Sequence, residues 1–147
     1  MNQKHLAIQP SDQIATLNVI GIKMTVLVPE DVSQSQQITL QSGDEGVGPP
    51  PHNHDWDESF YVTKGQVQFT CNDQTTMCPA GTLVYVPAGT IHAFSFGPGG
   101  GEMLEITGTR SRAIGMFSAL DREIPPGPPD VAKVVQVAAE YGVTFHI

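Results

Sequence analysis

The sequence predicts an all-β protein, an antiparallel β-barrel or sandwich, with a short helical segment near its C-terminus. Three observations carry this. From Glu58 to Thr107, short β-branched and aromatic runs alternate with turn residues. The 15 glycines and 12 prolines punctuate those runs and do not gather into a linker. Helical periodicity enters only after residue 111.

Taken in order, residues 14–28 (IATLNVIGIKMTVLV) read as two strands broken at Gly21, with Ile22, Met24, Val26 and Val28 on one face. QQITLQS (36–42) is a third alternating run. Strands then follow at 58–63, 66–71, 82–87, 91–96 and 102–107. Their breaks are Lys64-Gly65, Asn72-Asp73, Pro79-Ala80-Gly81, Ala88-Gly89 and the run Gly97 to Gly101. Closing such a sheet removes its exposed edges. A two-residue turn at Asn72-Asp73 pairs Cys71 with Gln74 and puts Cys78 opposite Val67, so the two cysteines read as free thiols. Arg112 to Leu120 is a short helix. In PPDVAKVVQVAAEYG, Asp130 is a natural N-cap, Val131, Val134, Val135 and Ala138 form an apolar stripe, and Gly142 lies just past the end. This helix is expected on the outside of the sheet, and Val143 to Ile147 as a last strand.

At 147 residues the chain reads as one domain, 1–147, able to bury a core without disulfides or metals as staples. A formal charge of −8 argues against nucleic acid and anionic membranes as partners, because both need basic surface. No apolar stretch approaches about 18 residues, and Met1-Asn2-Gln3-Lys4-His5 is followed by no signal core. A soluble, cytoplasmic protein is expected.

Two of the five histidines stand one residue apart in GPPPHNHDWDESFYVTKG (Gly48 to Gly65), with a glutamate four further on. Side chains alternate faces along a strand, so His52, His54 and Glu58 share one parity. His92 opens a strand after the tight turn Pro87-Ala88-Gly89. Three imidazoles and a carboxylate suit one divalent transition metal (Mn, Fe, Ni, Co, Cu or Zn) with coordination positions left for water or substrate. Burying the same groups together without a metal would be costly. His5 and His146 read as ordinary surface or satisfied residues.

With these residues in view, the chain resembles the cupin superfamily. Gly46-x5-His52-x-His54-x3-Glu58-x6-Gly65 fits the first cupin motif (46–65), and Gly81-x5-Pro87-x-Gly89-x2-His92 fits the second (81–96), across a short gap at 66–80. The second motif usually ends on an asparagine, where this chain has Phe96. The flanking phrases resemble small single-domain monocupins described as quercetin dioxygenase-like. The resemblance implies a double-stranded β-helix or jelly roll. It implies His52, His54, Glu58 and His92 as metal ligands, Glu58 as the catalytic base that deprotonates a substrate hydroxyl, and a homodimer.

A carboxylate beside a metal fits oxygen chemistry on an enol or enolate. The expected function is therefore a metal-dependent dioxygenase acting on an enolic or aromatic, flavonol-like small molecule. Two other classes stay open: isomerase, decarboxylase or hydrolase chemistry at the same site, and a non-catalytic binding or sensing cupin. Phe60, Phe69, Phe94 and Met103 are candidates for an apolar pocket lining or for plain barrel core. Trp56 is either a guard at the mouth or an exposed loop aromatic. Gly97 to Gly101 is either a lid or a hairpin loop.

Overall fold

The computed structural model describes residues 4–33 and 35–147; Met1-Asn2-Gln3, part of the stretch read as lacking a signal core, lie outside the described residues. Among the described residues, nine strands run in chain order: β1 (Thr16–Val19), β2 (Ile22–Val28), β3 (Gln37–Gly43), β4 (His52–Asn53), β5 (Glu58–Cys71), β6 (Gln74–Pro79), β7 (Leu83–Val86), β8 (His92–Thr107) and β9 (Thr144–Phe145). Two helices, α1 (Ala113–Glu123) and α2 (Val131–Glu140), precede β9. The described strands form one antiparallel sheet in the order β1-β2-β3-β8-β4-β9, and β5 joins it through β8 while also pairing β6 and β7. The sheet curls into a half-barrel, so the all-β jelly-roll expectation holds.

The sheet is held by one long pairing. β5 runs antiparallel to β8 from Glu58↔Thr107 to Cys71↔His92. This corrects the breaks expected at two places. Lys64-Gly65 ends no strand; β5 passes through it with register shifts between Val62 and Lys64 and between Gly65 and Val67. Gly97 to Gly101 is neither a hairpin loop nor a lid, because it lies inside β8 and its flanks continue in one direction along β5. It is an outward bulge between the pairs Val67↔Phe96 and Gly65↔Gly101. Glycine is required there: Gly99 and Gly100 have φ of 80° and 87°, and a Cβ on Gly65 would sit 2.3 Å from the Gly100 carbonyl oxygen.

The Asn72-Asp73 turn has the expected register, with Cys71↔Gln74 and Val67↔Cys78, and both cysteines are free. On β2, Ile22 and Met24 face the core, but a register shift between Val26 and Val28 takes Val28 off that face. Inward alternation on β3 is polar: Gln37, Thr39 and Gln41 are buried, while Ile38 and Leu40 are only partly so.

Asp130 caps α2 as predicted, its carboxylate accepting from the Lys133 backbone N–H at 3.2 Å. The stripe is rotated from expectation. Val131 is 53% exposed and Val137 takes its place in the core beside Val134 and Ala138. Nor do the helices pack on the outside of the sheet. α1 supplies Ala113, Met116, Phe117 and Leu120, and α2 Val134 and Val135, to a cavity that also reaches the barrel histidines. The open side of the half-barrel faces these helices, which is why their apolar faces point into it.

Candidate metal centre

Two of the four candidate ligands are brought together by strand pairing. His52 on β4 lies directly opposite His92 at the start of β8. Cys71, at the end of β5, pairs with the other edge of His92. His54 follows β4 in the loop, and Glu58 is the first residue of β5. The tight turn at Gly89 (φ 84°) aims β8 by donating its N–H to the His54 carbonyl at 2.8 Å. All four side chains are buried, the most exposed being His52 at 9%.

Each imidazole is held at Nδ1 by a carbonyl two residues away. His52 meets Pro50 O at 2.8 Å, His54 meets Trp56 O at 3.0 Å and His92 meets Thr90 O at 2.8 Å. A carbonyl can only accept, so each Nδ1 carries a proton, and in its neutral form each ring turns the Nε2 lone pair toward the site. This is the tautomer a metal-binding histidine needs, and the backbone fixes it. One ring nitrogen from each of the three lies within 4.8 Å of those of the other two.

Glu58 sits against the same point. Its Oε2 is 2.9 Å from His92 Nε2 and its Oε1 is 3.3 Å from His54 Nε2. His54 Nε2 is fully buried and has no hydrogen-bond partner among the described residues. Burial alone would raise the Glu58 carboxyl, but the His54 and His92 imidazoles beside it outweigh burial and hold it at about 2. His52 is lowered to about 4, by burial first and then by His92. Burial opposes the charged form of His92 too, yet Glu58 overrides it and raises the imidazole. The Glu58–His92 contact therefore shares a proton where a cation would otherwise stand. The donor set fits a divalent transition metal: three oriented imidazoles, one of them orphaned, and an ionised carboxylate.

Around this cluster lies a cavity of about 180 Å³, almost wholly apolar. Phe60 and Phe94 line it as expected. Phe69 and Met103 do not; they are buried in the barrel core, Phe69 packing on Phe60 with centroids 5.1 Å apart. Trp56 is not an exposed loop aromatic. It is 3% exposed, lines the cavity, and stacks on His54 at 4.2 Å with the planes 8° apart. His5 and His146 are exposed, and His146 is tied to Asn53 at 2.7 Å. Phe96, at the usual asparagine position, is 1% exposed and lies against Gly43, where a Cβ would approach its ring to 2.5 Å.

Among the cavity residues that sequence reasoning missed, two are polar, Gln41 and Glu105. Both are polar side chains on inward strand positions, and parity with Thr39 and with Met103 was the available signal. Burial, then the Glu58 charge, raises the Glu105 carboxyl well above the ordinary range, against a smaller opposing effect from Gln41. Among the described residues, no helix is long and apolar enough to cross a membrane.

Residues 37–106 match the cupin domain family. An uncharacterized protein of Streptomyces coelicolor is 33% identical over 61 residues, which is 42% of this chain and 58% of that protein. The chain thus spans little more than half the length of that relative. A RmlC-like cupin from Shewanella frigidimarina superposes with a TM-score of 0.65 at 18% identity, covering 77% of this chain and 99% of that one. The polyketide cyclase RemF from Streptomyces resistomycificus gives 0.63 at 18% identity, over 72% and 80%. At these identities the likeness concerns the fold. The fold is that of the cupins, and the segment that carries both histidine runs matches the cupin domain.

Proposed function

We propose that this protein is a metal-dependent dioxygenase acting on a flat, largely apolar small molecule with an ionisable oxygen beside an enolic carbon, as in a flavonol. The observation that carries it is the placement of Glu58. This carboxylate lies against two of the three oriented imidazoles, His54 and His92, in the wall of an apolar cavity. His52, His54, His92 and Glu58 would hold the metal. Once bound, it would supply Lewis acidity toward a substrate oxygen and, if redox-active, a route for electrons to dioxygen.

The chain's own residues do the rest. Trp56, Phe60 and Phe94 offer flat apolar surface that orients a planar ring and excludes water. Glu58 accepts the proton of the substrate hydroxyl. A carboxylate has two oxygens, so one could face a metal while the other accepts the proton. The backbone carbonyls of Pro50, Trp56 and Thr90 keep the imidazoles from turning.

A second reading is chemistry at the same site without dioxygen, such as cyclisation, isomerisation or decarboxylation. The buried acid Glu105 in the same cavity favours it, since a second carboxyl beside the base could return a proton to the substrate. A non-catalytic binding or sensing module is the third.

The test is elemental analysis of protein purified without added metal, followed by oxygen uptake with flavonols and simpler enediols. Oxygen consumption with a bound stoichiometric metal supports the dioxygenase. If Mn-, Fe-, Co- and Ni-loaded protein bind such ligands and none consumes oxygen, the dioxygenase reading fails.

A further inference from the structure

Gln41 is a fully buried side chain at 0% exposure, yet its amide is only half satisfied. Nε2 donates to Thr39 Oγ1 at 3.0 Å and to Glu105 Oε2 at 3.2 Å. Both amide hydrogens are thereby used, and Oε1 is turned away from the two groups that hold the nitrogen. Oε1 is buried with no hydrogen-bond partner among the described residues. An acceptor left so destabilises a fold. A near-isosteric leucine would avoid that, so the amide asks for a reason.

Its position supplies one. Thr39 and Gln41 project inward from β3, and Thr39 pairs with Glu105 on β8. Glu105 in turn pairs with Phe60 on β5, two residues from Glu58 on the same face. Gln41, Glu105, Phe60 and Glu58 line one cavity together with His52 and His54. Apart from the histidine cluster and Glu58, its walls are apolar but for this pair and the Trp56 indole N–H, itself unpartnered.

We propose that Gln41 Oε1 is a second polar anchor of the pocket, oriented by Thr39 and Glu105 to accept a hydrogen bond from a hydroxyl on the ligand. This rests on the proposed function and narrows its substrate class. The ligand carries one ionisable oxygen for the histidine cluster and a separate hydroxyl for Gln41, on an otherwise apolar planar frame. An apolar compound lacking that hydroxyl leaves the acceptor buried and bare, which is the strongest form of discrimination such a site offers.

The experiment is anaerobic fluorescence titration of cobalt-loaded protein with 3-hydroxyflavone and with flavonols that add hydroxyls at other ring positions. Wild type is expected to bind at least one hydroxylated flavonol about tenfold more tightly than 3-hydroxyflavone, one well-made hydrogen bond being worth roughly that factor. Gln41→Leu should erase the preference by weakening the hydroxylated flavonols and tightening 3-hydroxyflavone, while leaving the cobalt absorption spectrum unchanged. Gln41→Met, also without the acceptor, serves should the leucine variant fail to fold. A wild type with no preference, or a preference that survives in either variant, overturns the anchor. The readouts separate it from the dioxygenase reading: preference without oxygen uptake in air keeps the anchor and sinks the oxygenase. Uptake without preference does the reverse. No binding of any flavonol overturns both.

Discussion

Glu58 Oε2 lies 2.9 Å from His92 Nε2, joining the first residue of β5 to the first of β8. Those strands pair over their full lengths, so the contact ties the two ends of the molecule's longest ladder.

His54→Ala removes the imidazole whose Nε2 is buried without a partner. Metal content by elemental analysis is expected to fall well below one per chain. Metal protection should vanish with it, since a ligand held only by the folded state at 100 times its Kd adds about 2.7 kcal/mol. Unchanged metal content would remove His54 from the ligand set.

Glu58→Gln keeps a carbonyl oxygen near His54 and His92 but cannot accept a proton as a carboxylate does. Partial metal retention is expected, with substrate turnover reduced by about 10²–10⁴, the usual contribution of a positioned base. Oxygen uptake and metal content on one preparation check both. Turnover near the wild-type rate would exclude Glu58 as the base.

Glu105→Gln tests the buried acid through pH. The folded state raises this carboxyl above its ordinary 4.5, so it holds the proton more tightly than the unfolded chain. Its contribution is fully present below about pH 4.5 and is lost as pH rises through the raised value. In metal-free protein, the glutamine variant should match wild type at about pH 4 and exceed it at about pH 7. The gain is read as a higher melting temperature, about 2–4 °C for each kcal/mol in a domain of this size. His52 and His92 titrate in both proteins, so the difference isolates residue 105. Equal melting at both pH values would mean the carboxyl is not perturbed.

Phe96→Asn restores the residue usual at this motif position. Phe96 fills space between Gly43 and Phe94, and the amide would leave a void and bury polar atoms. A loss of about 3–5 kcal/mol in chemical denaturation is expected. A neutral effect would show that the site can collapse around the smaller side chain.

A homodimer is the expected assembly. β1 is an edge strand, and Tyr61, Leu83 and Tyr85 stand exposed on the outer face of β5 and β7. Light scattering at micromolar concentration should give about twice the 15.7 kDa chain mass; Leu83→Asp and Tyr85→Asp test whether that face is the contact. A monomeric wild type overturns the expectation.

The candidate ligand residues were legible because histidine spacing and strand parity are local. His52, His54 and Glu58 needed only alternation, and Gly89 only a tight turn before His92. The Asn72-Asp73 register was legible for the same reason, since a two-residue turn dictates its pairs. What the sequence hid was non-local. Gly97 to Gly101 reads as a loop by composition, and only pairing with β5 makes it a bulge inside β8. In QQITLQS, hydrophobicity alone would turn Ile38 and Leu40 inward; the tertiary structure buries Gln37, Thr39 and Gln41, because the neighbouring Glu105 gives that polar face a partner. The helices carry apolar stripes that any sheet could accept, and it is the open side of this half-barrel that draws them over the cavity. Local rules determined which groups could bind a metal; the curl of the sheet decided what surrounds it.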